Sequence, residues 1–419
     1  MESNFSRFFS IALQFRIYIL WFVAILAFGY FIFFVIEKSS IPSHGFATYY
    51  TASKLLADGE DVSQFYDDDW FSTKIKNYVP GVYEIYHVNP PTTSIMLLPI
   101  IFLDYKEARI IWTIFNSLIF ILTLVYLVNR FDFKGRWLPI LMIVFFLLQP
   151  LLANFAFAQV YILIFSSIVL AWYAYGTEKN LILGIVLGLI IILKTSGLFL
   201  LLLLIIERRW RSLIWTGITI GVCILITLPW IGYDAWFSFA QRIIAYTKNP
   251  NLSVTAYQTV HSFFTHLTTY DQIWNPAPII NSPFTGRLLS FASNLIIVFL
   301  ISFLAYRYKN INLTFGMFII GGILISPASL DYHYVLLLLP LLIFINWLRN
   351  NPSKPLWVLL VIFYLLIAVF IPYTSAKVTG GFWVIFAYPK LYGAVGFLGL
   401  FIAAIIRSKG SGEFREELS

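Results

Sequence analysis

One cysteine, Cys223, serves all 419 residues, so no intrachain disulfide can form and cysteine usage says nothing about redox compartment. Charge is almost as scarce. Asp, Glu, Lys and Arg make up 11% of the chain, against about 25% in ordinary soluble domains, which excludes a soluble globular protein. No phosphate-binding glycine loop, dinucleotide fingerprint or Gly-x-Ser-x-Gly elbow points to soluble-nucleotide or esterase chemistry. The histidines lack the His-Glu-x-x-His spacing of zinc hydrolases, and no basic low-complexity tract suggests nucleic acid. There is no internal repeat and no separate soluble domain.

What fills the chain instead is hydrocarbon. Sixty per cent of residues are hydrophobic and the mean hydropathy is +0.82. A bilayer core needs about 20 apolar residues per helix, and candidate runs lie at 17–36, 92–104, 108–128, 137–150, 158–175, 181–206, 212–232, 288–306, 311–326, 333–348, 356–372 and 389–406. The expected fold class is all-α: a polytopic integral membrane protein with about 12 transmembrane helices, the shorter runs kinked or tilted. The first run is too long for a cleaved signal and reads as a retained signal-anchor. The whole of 1–419 reads as a single transmembrane domain.

Positive charge sets the orientation. Arg7 and Arg16 precede the first run, and Lys106/Arg109, Arg208/Arg209/Arg211, Arg307/Lys309, Arg349/Lys354 and Arg407/Lys409 mark further cytoplasmic turns, with both termini inside. Arg130/Lys134/Arg136 breaks the pattern if 92–104 crosses fully. A re-entrant 92–104, with 181–206 split around Lys194-Thr-Ser-Gly, restores it.

Two long segments interrupt the spans and are expected outside the cytoplasm: a first external loop at 37–91 and a second at 233–287. Phe46, Tyr49, Tyr50 and Leu56 have the spacing of an amphipathic helix lying in the interface. A second short helix is expected from Asp67 to Tyr78, then a turn at Pro80-Gly81. The second loop carries helix-like stretches at 234–247 and 257–269, punctuated at 249–251 and 275–283. Such pieces would roof the bundle. All five histidines, His44, His87, His261, His266 and His333, fall on that same face, as expected of an enzyme working at a membrane surface.

Lys194 stands out within apolar sequence, where a charge costs about 2.5–3.5 kcal/mol. It reads as a clamp for a lipid-linked phosphate, or else as a snorkelling or paired lysine. In Ser326-Pro-Ala-Ser-Leu-Asp-Tyr-His-Tyr, the Pro327–Ser329 break would aim Asp331 and His333 into one cavity mouth, as proton acceptor and phosphate ligand. Asp331 could equally cap the following helix. Asn89 and Gln159 are polar groups near span ends, suited to sugar hydroxyls or to satisfying broken backbone. Tyr66-Asp-Asp-Asp-Trp is similar to an acidic metal-binding run, but a solvated face or helix cap is its ordinary reading. No metal or other cofactor is assigned, with a divalent ion at that run as the alternative. Asn251-Leu-Ser and Asn312-Leu-Thr match a glycan acceptor pattern that is frequent by chance.

Several of these pieces, in order, resemble the polyprenol-phosphate-mannose-dependent mannosyltransferases of glycosyltransferase family 87, within the GT-C superfamily. They are Phe46-Ala-Thr-Tyr-Tyr-Thr-Ala-Ser-Lys-Leu-Leu with Phe65-Tyr66-Asp67, Asn89-Pro-Pro-Thr with Leu97-Leu98-Pro99, Ala158-Gln159-Val160, Gly188 with Lys194, Glu207-Arg-Arg-Trp-Arg, and the Ser326–Tyr334 segment. The resemblance implies cytoplasmic termini, a large first external loop and a cavity where loops meet membrane. It also implies inverting transfer of a sugar from a polyprenyl phosphate to a hydroxyl outside the cytoplasm. The family usually has Asp directly before the Phe of the first loop, thought to be the general base. Here that position is Gly45, preceded by His44.

The resulting expectation is a plasma-membrane glycosyltransferase that moves a monosaccharide, mannose by resemblance, onto a cell-envelope glycan or glycolipid. Asp331 is the first substitute base and His44 the second, or another loop carboxylate takes the role. Lys194 and His333 hold the departing phosphate, while Tyr49, Tyr50 and Trp70 stack on sugar or prenyl groups. Asn89, Gln159, Ser329 and Asp67 complete the substrate-binding set. The rivals are a lipid-linked-sugar flippase or transporter, and a non-catalytic member that binds lipid-linked sugar or scaffolds envelope enzymes. Repeated halves, common in transporters, are absent from the sequence.

Overall fold

The computed structural model describes residues 2–246, 250–375 and 377–408. These form an all-helical chain with one isolated antiparallel bridge, Asp271–Asn275. Lys409 and Asn249, used above as charge marker and loop punctuation, lie outside the described residues.

Among the described residues, six helices are long and apolar enough to cross a bilayer: Phe15–Ser39, Tyr105–Arg130, Trp210–Ile231, Pro283–Tyr308, Asp331–Asn350 and Pro389–Arg407. Trp137–Phe146 and Gln149–Phe157, bent by 48° at their junction, make a seventh if taken as one span. The protein is therefore a multi-pass membrane protein. Twelve spans are not reached by length and composition. Tyr161–Gly176, Asn180–Leu193, Ile311–Ile325 and Lys354–Ala368 are apolar but short, and the longest, at 16 residues, extends about 24 Å against a hydrocarbon core of about 30 Å.

The run at 92–104 is not an α-helical crossing. It folds into two 3₁₀ turns, Pro91–Ile95 and Leu98–Ile100, because Pro90, Pro91 and Pro99 remove the backbone donors a continuous helix needs. The Tyr105–Arg130 helix therefore starts at the same end of the bundle as His44. Tyr105 Oη accepts from the Ser43 backbone N–H at 2.9 Å, and Arg109 Nη2 donates to the carbonyls of Lys38 at 2.6 Å and Ala156 at 2.9 Å. This corrects the expected position of Lys106/Arg109, which share the end of the first loop, while Arg130 lies at the other end of its helix.

The run at 181–206 is likewise split. Its first half, Asn180–Leu193, lies parallel to Trp210–Ile231. A Cβ on Gly184 would meet Trp215 at 2.4 Å, and one on Gly188 would meet Thr219 at 2.7 Å. Two parallel neighbours require the intervening Leu198–Ile206 helix to run back. Its far end agrees, since Glu207 and Arg209 reach Tyr175 just as Asn180 reaches Ser212. Lys194, extended at φ −157° and ψ 110°, and the Thr195–Gly197 turn thus form the tip of a hairpin of two short helices.

The two segments at 37–91 and 233–287 contain helices, at His44–Ala57 and Asp68–Tyr78 in the first and Tyr233–Tyr246 and Val260–Thr268 in the second. The first of these does not present one open face. Gly45 through Ser53 and Leu55 are all buried. It packs within a local core of Phe65, Tyr66, Phe71 and Tyr86, joined by Ile231 at the end of the Trp210–Ile231 helix and Ala235 of the second segment. Burying such a side chain away from water contributes about 1.5–3 kcal/mol. The two loops therefore hold one another over the hairpin tip.

Candidate functional site

The site is built around Lys194. The hairpin tip carries its ammonium group to the Asn89 side-chain oxygen, which accepts a hydrogen bond from it. The same ammonium lies 5.5 Å from the centre of the Tyr49 ring. Both partners are neutral, and among the described residues Lys194 has no ion pair. Asn89 is held in turn because its amide N–H donates to the Tyr86 carbonyl at 3.0 Å, and Tyr86 is itself fully buried. The hairpin tip is tied to the first loop as well, through Thr93 Oγ1 donating to the Leu193 carbonyl at 3.2 Å.

Tyr49 is buried, and its hydroxyl donates to Gln159 Oε1 at 2.6 Å. Burial pushes this phenol well above its ordinary pKa, with Tyr161 adding to the effect, so Tyr49 stays a neutral donor. Gln159 follows Ala158, a residue in the left-handed region at φ 48° that ends the Gln149–Phe157 helix. Gly45 packs directly under it. A Cβ on Gly45 would fall 2.2 Å from Gln159 Nε2 and 2.7 Å from the Phe157 carbonyl oxygen, distances no side chain could occupy. Glycine at position 45 is thus a packing requirement of this chain.

A carboxylate reaches the site from elsewhere. Glu84, half-buried, lies 3.7 Å from His44 Nδ1, and His44 also contacts the Tyr83 carbonyl at 3.0 Å. Burial raises the Glu84 pKa, opposed by the Ile85 N–H and by the nearby His44, Lys194 and His87. Sequence reasoning missed Glu84. The available signal was its isolation, as no other acidic residue lies between Asp69 and Asp104.

His333 completes one wall. Its ring lies 4.1 Å from Tyr161 and 4.6 Å from Tyr332, centre to centre, and its Nδ1 accepts from the Leu330 N–H at 3.0 Å. His333, not Asp331, therefore caps this turn. Asp331 points elsewhere, which corrects the shared cavity mouth. It accepts from the Tyr373 hydroxyl and pairs at 3.6 Å with Lys390, whose side chain is 1% exposed. Neighbouring side chains of a 3₁₀ turn lie about 120° apart around the axis, so residues 331 and 333 face different neighbours. Lys390 was also missed, although a lysine inside the run at 389–406 was a visible signal.

The remaining expected ligands serve the loop framework. The Tyr50 hydroxyl donates to the Leu103 carbonyl at 3.0 Å, and its ring packs edge-on against Tyr105 at 5.4 Å. Trp70 stacks on Phe65 at 6.0 Å, with the Lys74 ammonium 4.8 Å from the Trp70 ring centre. Ser329 donates weakly to the Ile323 carbonyl, at 3.5 Å. In the acidic run, Asp67 caps the Asp68–Tyr78 helix through the N–H groups of Asp69 and Trp70, and Asp68 contacts His87 at 2.7 Å. Among the described residues no three His, Cys, Asp or Glu side chains are grouped to hold a metal. Asn312 of the glycan pattern is engaged by Trp172 at 2.9 Å.

The hairpin tip, Asn89, Gln159 and His87 all lie inside the segment, residues 86–327, that matches the model of glycosyltransferase family 87. Glu84 and His44 precede it, and Asp331 and His333 follow it. Searches of curated proteins and of solved structures give no match. A match over more than half the chain, on a multi-helix membrane framework, settles the class: this protein belongs to glycosyltransferase family 87 and is a membrane glycosyltransferase.

Proposed function

We propose that the protein transfers a monosaccharide, mannose by family resemblance, from a polyprenyl phosphate to a hydroxyl of a cell-envelope glycan or glycolipid. The transfer takes place on the non-cytoplasmic face of the plasma membrane, with both termini cytoplasmic and the chain acting as a single domain. The observation that carries this reading is Lys194. An ammonium at the tip of an apolar hairpin, hydrogen-bonded to an amide oxygen and facing an aromatic ring, with the charge of Glu84 acting on it from beyond ion-pair distance, keeps its charge available for an anionic headgroup. A partly desolvated cation of this kind is worth far more to a developing phosphate charge than one in water.

In this mechanism the acceptor oxygen attacks the anomeric carbon from the side opposite the phosphate. The C1–O bond to phosphate breaks, the new C1–O bond forms, and the acceptor proton passes to a base. Glu84 is the base we favour over Asp331. It has a raised pKa, His44 beside it and Lys194 within electrostatic reach, whereas Asp331 is committed to Tyr373 and Lys390. Lys194 and the polar edge of His333 receive the lipid phosphate as it leaves. We take the transfer to need no metal, since Lys194 supplies the positive charge that a divalent ion would otherwise bring.

The test is direct. Purified protein is supplied with polyprenyl-phosphate-[14C]mannose and extracted envelope lipids, and labelled product is sought. Label that stays wholly on the donor, with mannose and with other prenyl-linked sugars, defeats the transferase reading. Binding without transfer would favour the non-catalytic rival, and movement of intact donor across vesicles would favour the flippase.

A further inference from the structure

Buried His87 and partly exposed Asp68 form a pair that the mechanism above does not use. His87 is 7% exposed, and its Nδ1 lies 2.7 Å from Asp68 Oδ1. A carboxylate at that distance fixes the imidazole with its proton on Nδ1, which leaves Nε2 as a hydrogen-bond acceptor. The backbone on either side is immobilised. Tyr86 Oη donates to the Pro90 and Pro91 carbonyls at 3.0 and 3.1 Å, and the Asn89 N–H donates to the Tyr86 carbonyl at 2.8 Å.

Against this ring stands a piece of the second external segment. The Tyr246 ring is 5.3 Å from that of His87, and the Tyr246 and Tyr257 hydroxyls lie 3.1 Å apart. The charge of Glu84 acts on both tyrosines. Two phenols and an oriented imidazole beside a carboxylate combine aromatic surface with hydroxyl-directed donors and an acceptor. That is the chemistry that recognises a sugar or similar polyol.

We propose that His87, oriented by Asp68, and the Tyr246–Tyr257 pair form the acceptor subsite, binding a polyhydroxylated acceptor so that one hydroxyl faces Glu84. This rests on the transferase reading and assigns a part of the site that reading leaves open. His87 Nε2 accepts a hydrogen bond from a neighbouring acceptor hydroxyl, and the tyrosine pair flanks the ring of the acceptor. Asp68 touches no substrate and is a positioning residue. Donor phosphate binding stays with Lys194, so the two substrates are read by different loops.

The experiment uses full-length protein, polyprenyl-phosphate-[14C]mannose as donor, and octyl glucoside, octyl galactoside and octyl mannoside as acceptors. Transfer to the glycoside and release of free mannose by water are measured together. For His87→Ala, loss of one buried hydrogen bond should raise the acceptor KM about tenfold or more and lower the ratio of transfer to release by a similar factor. Retention of donor on the protein should change less than it does for Lys194→Met. Asp68→Asn should show the same acceptor signature more weakly, and free imidazole should partly restore transfer in His87→Ala. Tyr246→Phe and Tyr257→Phe, which remove one oxygen each, give variants that keep the packing.

If wild-type protein transfers sugar and all these variants keep its acceptor KM, the subsite assignment is wrong. Wild-type protein that releases mannose but transfers to none of the glycosides also overturns it, leaving the transferase reading with a non-sugar acceptor. If it neither transfers nor releases any prenyl-linked sugar, the transferase reading itself falls.

Discussion

Gln159 occupies the space that a side chain on Gly45 would need, its Nε2 lying 2.2 Å from where that Cβ would be. The aspartate that the resemblance implies for this position therefore cannot simply be introduced here. Gly45→Asp should lower stability by about 1–3 kcal/mol through overpacking, and should not raise transfer. Thermal unfolding in detergent reads the first effect. Adding Gln159→Ala should recover only part of the loss, because the Phe157 carbonyl oxygen, 2.7 Å away, belongs to the backbone. An aspartate variant as stable as the parent and faster in transfer would mean that the packing is misread.

Lys194 should matter for its charge. Lys194→Met should weaken donor retention on the order of 10- to 100-fold, the range of a charge-assisted hydrogen bond, and Lys194→Arg should retain more of it. Asn89→Ala should weaken retention less, since Asn89 positions the ammonium without bearing charge. Equal retention by the methionine variant, measured with labelled donor, would remove Lys194 from the donor site.

For Glu84 the sign follows from its burial. A base acts when deprotonated, and burial raises this carboxyl above the ordinary value of about 4.3. The kcat/KM for transfer should therefore fall as pH drops through a limb lying above the usual carboxylate range. Stability runs with the same linkage. A raised folded-state pKa favours the protonated form, so Glu84 contributes most to stability at low pH and less as pH rises through its folded value. Glu84→Gln should abolish most transfer and remove the acid limb. A profile unchanged by that substitution points to another base.

Asp331 and Lys390 make a different prediction. Their pairing leaves the lysine side chain 1% exposed and the aspartate 19% exposed, so removing one partner strands a buried charge. Asp331→Asn should cost about 3–5 kcal/mol, and Asp331→Asn with Lys390→Met should recover most of it. Unfolding curves of the single and double variants decide. Normal stability with complete loss of transfer in the single variant would return Asp331 to the catalytic role.

Much of this site was legible residue by residue. Lys194, Asn89, Gln159, Tyr49 and His333 stood out because polar groups within apolar runs are costly and need a reason, and they are tied together as Lys194–Asn89, Tyr49–Gln159 and the His333–Tyr161 wall. Asp331 and His333 part company for a geometric reason. Two residues separated by one position share a motif in sequence, yet a 3₁₀ turn sends them to different neighbours. Glu84 and Lys390 went unnoticed because neither sits in a recognisable pattern, and their importance comes from partners 40 to 100 or more residues away in the chain. Between the two readings open for 92–104, the full α-helical crossing is ruled out because hydropathy counts prolines as tolerable, whereas backbone hydrogen bonding does not.

Composition and order alone determined that this chain lives in a membrane and that its helices are separated by two substantial polar segments. Those properties depend on transfer free energy and local hydrogen bonding, which act along the chain. Only the tertiary structure decided which polar groups meet. Folding the 181–206 run back on itself places Lys194 at a hairpin tip, and packing Gly45 beneath Gln159 closes position 45 to a side chain. Convergence of this kind depends on contacts between distant segments, and a linear pattern does not encode where two loops will touch.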